Sequence, residues 1–320
     1  MYGQGKRMIR ETETAGGVLG ISRTEADSTG AAGVKIEYYR GKDVSVTVPG
    51  QIEGNPVTGI GKKAFLGAKT LTRIELPGSI RSIGDWAFAS CSALRELIIP
   101  KREMTLGSGL FKDCEKLERI VFIEKDEDGE PKEDTHQADA PDGDVSYLLA
   151  LAVSKMDAPY LFDTQKAGSE DWIAHFDSLI LQILEKDDTD GFSKMLLCGE
   201  EDYVGDESNL DTFILMKKKE KVRILLARLL HPYGLSERNR EICSKYLSEN
   251  MPSVTWPLVL DEHGDEKEYF DILIDTGCIN DSNITGLIDS MGERNTQMKG
   301  YLIRHKGESS AGGFLNTLEL

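Results

Sequence analysis

Catalysis and metal binding require particular side chains at particular spacings, so those spacings are read first. Glu124, Asp126 and Asp128 followed by Gly129 imitate the opening of an EF-hand calcium loop. Such a loop opens on Asp and closes at position 12 on a bidentate Glu. Here those places hold Glu124 and Thr135, and a solvated spacer is the better reading. Asp187, Asp188 and Asp190 can hold a cation, but a helix-terminal solvated turn accounts for them with less. Gly59, Gly61 and Lys62 look like the end of a phosphate-binding loop. The glycine required five places before Gly61 is Pro56, however, and Lys63 stands where the loop needs a hydroxyl. His136, His175, His231, His263 and His305 are dispersed, none at ligand spacing with a cysteine, and read as surface or interhelical side chains. There is no His-Glu-x-x-His and no Gly-x-Ser-x-Gly. The expectation is no catalytic residue, no metal, no cofactor and no enzymatic activity.

Cys91, Cys114, Cys198, Cys243 and Cys278 form no Cys-x-x-Cys pair and read as free thiols of a reducing compartment. Residues 1–33 carry no net charge, 34–123 carry +4, 124–144 carry −8 and 145–320 carry −13, for a total of −17. So acidic a chain repels phosphate backbones, which argues against a nucleic-acid partner. The most apolar run, Val145 to Val153, falls far short of the roughly 20 residues a membrane span needs. The stretch from Gly16 to Ile21 is too short and wrongly flanked for a signal peptide. Those features predict a cytoplasmic protein, or a secreted or surface one if a leader has been removed.

The elements that would position any site emerge from an internal repeat. An offset of 23 residues carries Ile60 to Ile83 to Leu106, Gly61 to Gly84 to Gly107, Ala64 to Ala87 to Leu110 and Phe65 to Phe88 to Phe111. The same offset carries Leu71 to Leu94 to Leu117, Ile74 to Leu97 to Ile120 and Leu76 to Ile99 to Phe122. The alternation at the end of each copy predicts strands over 71–76, 94–99 and 117–122, with one face buried. The Gly-x-x-Ala-Phe section predicts a short helical turn on the opposite side. One unit has too little apolar surface to stand alone, so neighbours must stack, with the three phenylalanines inside. Cys91 and Cys114 share a column with Ala68, which makes them small core fillers.

The unit Ile-Gly-x-x-Ala-Phe-x-x-Cys-x-x-Leu-x-x-Ile-x-Ile-Pro resembles the BspA-like (Treponema-type) leucine-rich repeat. Val34 to Pro56 is similar to that family's entry and is read as a hairpin leading into the first repeat. The third copy departs at Glu103 and Leu110 and lacks the closing proline. The resemblance covers about residues 34–123 and implies a solenoid with a parallel sheet. It also implies a protein-binding role of the kind found in bacterial surface or secreted proteins.

The full expectation is an α+β chain of two domains: a flexible segment over 1–33, leucine-rich repeats over 34–123, an acidic disordered linker over 124–144 and a helical domain over 145–320. Residues 124–144 carry too little apolar surface to offset their ordering entropy. Trp172, Phe176, Ile180 and Ile183 share one helical face, as do Ile284, Leu287, Ile288 and Met291 behind an N-cap at Asp281. Further helices are expected near 208–216, 220–230, 236–249, 266–275 and 294–305. Segments 246–250, 273–277 and 302–306 weakly resemble ankyrin-type helices. Lys217, Lys218, Lys219 and Lys221 form a basic island on a solvated helix face. In the repeat strands the outward columns are Arg73, Glu96 and Arg119, and beside them Glu75, Ile98 and Val121. A charged ladder next to apolar side chains is what a small protein-binding patch needs. The function expected is a non-enzymatic interaction scaffold binding a protein through that sheet face. The alternatives are an effector with activity in the helical domain and the repeats as its targeting module, or a surface adhesin.

Overall fold

A computed structural model of the chain describes residues 9–24, 33–123, 142–194 and 209–317. The expected linker lies outside these residues, except for its last three, and so do the EF-hand-like stretch, His136 and Cys198. The chain divides into two compact units, one through Phe176 and one from Asp177.

The first unit is a solenoid built on one parallel sheet and one mixed sheet. The inner repeat strands β4 (Ser45–Thr47), β7 (Arg73–Glu75), β9 (Glu96–Pro100) and β11 (Arg119–Ile123) form one sheet in the order β11-β9-β7-β4. Its register pairs Arg73 with Glu96 and Glu96 with Arg119, so the 23-residue offset of the sequence is the strand register itself. The second sheet runs β1 (Arg10–Glu13), β2 (Gly17–Arg23), β3 (Val34–Gly41), β6 (Asn55–Ile60), β8 (Ser82–Ile83) and β10 (Thr105–Leu106), with β5 (Gln51–Ile52) paired to β6. Residues 10–13 and 17–23, expected as part of a flexible segment, are therefore strands that extend this sheet by antiparallel pairing. The expected entry hairpin is also replaced. β3 pairs with β2 and β6 in one sheet, β4 pairs with β7 in the other, and the hairpin in this stretch is formed by β5 and β6.

The repeat columns are buried as their periodicity requires. Leu71, Leu94, Ile74, Leu97, Ile120, Leu76 and Ile99 are all fully buried. Phe65, Phe88 and Phe111 stack at centroid separations of 5.6 and 5.8 Å. Tyr39 continues the stack at 5.5 Å on one end and Phe162 closes it edge-on at 5.4 Å on the other. The Tyr39 hydroxyl donates to the buried Asp43 carboxylate, which also accepts from the Thr14 hydroxyl, so the first strands are tied onto the start of the stack.

The segment expected as a helical turn is instead a run of tight turns. Lys63, Trp86 and Gly109 occupy one column and Gly67, Ser90 and Asp113 another, and all six have left-handed backbones. An α-helix cannot run through two such residues four places apart. The turns are satisfied copy to copy instead: the amides of Lys63, Phe65 and Gly67 donate to the carbonyls of Asp85, Ala87 and Ala89. Gly84 explains its own column, because a Cβ there would lie 2.6 Å from the Lys62 nitrogen. Stacked turns approach too closely for any side chain at that point.

Helix α1 (Asp142–Ser154) packs on β11 and covers the last strand, whose open edge would otherwise invite pairing with another chain. A 3₁₀ turn, Pro159–Leu161, brings in Phe162, and the Trp172 indole of α2 (Glu170–Glu185) donates to the Leu161 carbonyl at 2.8 Å. Lys155 and Thr164 bind the carbonyls of Glu115 and Arg102. Residues 142–176 fall in the first compact unit, and the division after Phe176 lies within α2.

The second unit is helical: α3 (Leu210–Leu230), α4 (Glu237–Glu249), a π-helical turn (Met251–Thr255), α5 (Trp256–His263), α6 (Lys267–Asp275), α7 (Ile284–Ser290) and α8 (Thr296–Thr317). Two expected helices merge into α3, since Lys217, Lys218, Lys219 and Glu220 are good helix formers and do not interrupt it. The residue capping α7 is Asn283, not Asp281. The buried leucines of the ankyrin-like segments are Leu247, Leu273 and Leu302, spaced by 26 and 29 residues. At the centre, fully buried Arg228 donates through Nε to Asp177 at 2.7 Å and through its other nitrogens to the carbonyls of His231 and Tyr233. Asn239 of α4 donates to the same carboxylate at 3.1 Å.

Two substitutions test these cores. Phe88→Ala, with a ring lost between two stacked neighbours, is expected to cost about 3–5 kcal/mol of solenoid stability by denaturant titration. Asp177→Ala removes the carboxylate facing a buried guanidinium and is expected to cost the helical unit about 3–5 kcal/mol. A helical unit unfolding at its normal denaturant midpoint in Asp177→Ala would show the pair to be dispensable.

Candidate functional site

The site is the exposed face of the four-stranded sheet, and the alternation of each strand decides what it presents. Ile74, Leu97 and Ile120 point inward, so Arg73, Glu96 and Arg119 point out in one row across three strands. Glu75, Ile98 and Val121 form the adjacent row. Glu96 is the hub: one carboxylate oxygen receives Arg73 Nε at 3.1 Å and the other lies 3.5 Å from Arg119. Arg73 also donates to Glu75 at 2.9 Å. All six side chains are half-buried. Two arginines and two glutamates cancel, so the face is a neutral, pre-paired array beside two aliphatic side chains.

One end of this row carries a contact that the repeat pattern does not reveal. The Arg119 guanidinium lies over the Tyr147 ring of α1 at 5.5 Å, and its Nε is buried with no hydrogen-bond partner among the described residues. Arg119 therefore joins the face to the helix that closes the solenoid. Arg73, further along, faces solvent with no such duty. Tyr147 follows a stretch with no repeat character, which is why no periodicity could have placed it here.

The groups that spacing suggested for chemistry have other partners. Asp187 accepts from both the amide and the hydroxyl of Thr189, and the first of these holds its carboxyl below the usual range. Asp188 pairs with buried Lys221 at 2.7 Å, and that lysine also caps the carbonyl of Lys186. The basic island is thus split, with Lys217 paired to Glu220 outside and Lys221 turned inward. His263 stacks on Tyr269 at 3.7 Å, and His175 contacts the Asp171 carbonyl. Among the described residues no group of three His, Cys, Asp or Glu side chains is arranged to hold a metal ion. No helix of the described residues is long and apolar enough to cross a membrane.

Cys91 and Cys114 are buried core residues whose thiols donate to the carbonyls of Phe65 and Phe88, each in the preceding copy. Burial pushes Cys91 up to about 11 and Cys114 up to about 12. These are inert structural thiols.

Comparison with known sequences decides what the solenoid is. A profile of the BspA type leucine rich repeat region matches residues 45–128 in 6 copies. Residues 45–128 are a BspA-type leucine-rich repeat region. Solved structures similar to this part of the chain include a leucine-rich repeat protein from T. pallidum, at 26% identity over 32% of this chain and 68% of that one, with a TM-score of 0.22. A leucine-rich repeat protein from Bacteroides ovatus matches at 28% identity over 32% of this chain and 27% of its own length, with a TM-score of 0.26. A leucine rich cell surface protein from Faecalibacterium prausnitzii matches at 21% identity over 36% of this chain and 30% of its own, with a TM-score of 0.26. This chain therefore spans under a third of the length of the last two. No curated protein matches it. The BspA-type copies account for the 23-residue columns, while the closing helix and the second unit lie beyond the matched residues.

The raised thiol values give a pH dependence. A folded-state value above the ordinary 9.0 contributes stability below pH 9 that is lost as pH rises through 11 to 12. The wild-type solenoid is expected to lose thermal midpoint more steeply over that window than a Cys91→Ala, Cys114→Ala double variant. Parallel pH curves for the two proteins would show that the thiols are not desolvated.

Proposed function

We propose that this chain is a non-enzymatic interaction protein whose BspA-type repeats bind a partner protein through the face built by Arg73, Glu75, Glu96, Ile98, Arg119 and Val121. The observation that carries this reading is the Arg73–Glu96–Arg119 row set beside Ile98 and Val121 on a half-exposed sheet face. Half-exposed ion pairs contribute about 0–1 kcal/mol each, so stability alone gives weak reason for the row. A rigid sheet holds the charges in fixed register and lowers the ordering cost of recognition. Because the face is neutral once Glu75 is counted with the row, it suits a partner that offers paired charges of its own around an apolar centre, rather than a strongly charged one. Repeats of this type serve generally as interaction or surface-binding modules, which supports the assignment.

Arg73 is the residue to test, since Arg119 also packs on Tyr147. In capture from native lysate with the whole chain, Arg73→Glu is expected to lose at least about tenfold of the retained partner. Its thermal midpoint should move by no more than about 4 °C. Exchanging the pair, Arg73→Glu with Glu96→Arg, restores an ion pair but inverts the pattern. If that exchange restores capture along with stability, the row is structural and the proposal fails.

A further inference from the structure

A second exposed feature lies on the turns between β8 and β9, away from the sheet face. The column of Lys63, Trp86 and Gly109 has a left-handed backbone in every copy, with φ of 60, 59 and 62°. Gly109 shows that the smallest residue satisfies this column. Bulky side chains are strained there, at a cost on the order of 1 kcal/mol or more. The middle copy nonetheless places a tryptophan in it, 38% exposed, while Trp172 and Trp256 are each 4% exposed. Folding gives no reason for that choice.

The surroundings of the indole say what it faces. The ammonium of Lys112 lies over the ring at 5.4 Å and that of Lys63 at 5.9 Å. The ring also lies beside Gly109, where an added Cβ would stand 3.5 Å from it. The nearby acids are engaged elsewhere: Asp85 with Lys62 and the Ser108 amide, Asp113 with the Ser90 hydroxyl. Neither Lys63 nor Lys112 has a carboxylate partner among the described residues. Two cations on one aromatic ring repel each other, and cation–π attraction of about 0.5–1 kcal/mol at an exposed site offsets only part of that.

We propose that Trp86, Lys63 and Lys112 form a second docking site, for an acidic peptide segment that sets carboxylates on either side of an apolar side chain. Lysine heads are compact point charges, which suits single carboxylates on neighbouring residues. A sugar ring that stacks on tryptophan needs an open aromatic face, and here the ring carries ammonium groups and the Gly109 backbone. The repeat domain is net positive, so an acidic segment is drawn to it and the attraction weakens with salt. This site extends the reading of the chain as an interaction protein but shares no residue with the sheet face.

The test uses the whole chain and an acetylated, amidated probe peptide, Glu-Glu-Phe-Glu-Glu. Trp86 reports directly because the other two tryptophans are buried. The probe is expected to shift the emission of Trp86 and to protect it from iodide, with binding weakened at least about fivefold between 50 and 300 mM salt. Trp86→Gly suits the left-handed backbone and should keep the thermal midpoint. Measured with a labelled probe, it and the Lys63→Gln, Lys112→Gln double variant should each lose at least about tenfold in affinity. Trp86→Phe, which keeps an aromatic ring, should lose less. Arg73→Glu should leave probe binding unchanged, which separates failure here from failure at the sheet face. Equal binding of a Gln-Gln-Phe-Gln-Gln control overturns the proposal, as does undiminished binding by Trp86→Gly. Absence of probe binding overturns it too, and so does binding of a sulfated oligosaccharide in place of the peptide.

Discussion

The rest of the first unit depends on an aromatic column of five rings, Tyr39, Phe65, Phe88, Phe111 and Phe162, each within 6 Å of the next. Ring pairs of this kind contribute about 0.5–1.5 kcal/mol each beyond the area they bury. Their larger effect is geometric. One ring per copy at a fixed separation sets the rise between copies, and that rise puts the Cys91 and Cys114 thiols within reach of the preceding phenylalanine carbonyls. The same rise brings the turns so close that Gly61, Gly84 and Gly107 have no room for a Cβ. Column identity in the sequence is therefore the trace of one packing distance.

A stack has two ends, and an exposed aromatic face at either would be an aggregation surface. The first end is closed by Tyr39, whose ring packs like a phenylalanine while its hydroxyl meets Asp43. Burial raises the phenol's pKa, so it stays a donor. The other end is closed by Phe162, turned edge-on, with α1 laid over β11. The two ends differ because they meet different neighbours. A strand continuing the sheet supplies an aromatic in nearly the right register, whereas Phe162 comes from the chain after a 3₁₀ turn and meets the stack at another angle.

That asymmetry explains what could be read from the residues alone. The columns from Ile60 to Phe122 recur without a gap, so the strands, their order, the buried phenylalanines and the outward rows followed directly from spacing. The closing parts do not recur. Tyr39 lies 26 rather than 23 residues before Phe65, and Phe162 lies 51 beyond Phe111, so no period finds them. The second sheet leaves no such trace because β8 and β10 are only two residues long, too short for alternation to register. The left-handed columns gave a partial signal in Gly67 and Gly109. Lys63, Trp86, Ser90 and Asp113 hid it, because stacking hydrogen bonds rather than glycine enforce the turn there. Tyr147 gave none, and with it the structural duty of Arg119 was out of reach.

Repetition also separates residues that the fold needs from those it merely carries. Across the copies the inward columns stay apolar: isoleucine or leucine, alanine or cysteine, and phenylalanine throughout its column, with Leu110 and Phe122 as the departures of the last copy. The outward columns vary freely, from Arg73 to Glu96 and from Lys63 to Trp86 to Gly109. A position where three copies share one backbone and one hydrogen-bond pattern but not one side chain is under no packing constraint. Its chemistry is then set by something outside the repeat. By that criterion the sheet row and the tryptophan column are alike, and they differ in electrostatics. The row is balanced by Glu75 beside it, so a partner must match the pattern of the face. The tryptophan of that column is flanked by two cations, Lys63 and Lys112, while the nearby acids Asp85 and Asp113 are engaged elsewhere.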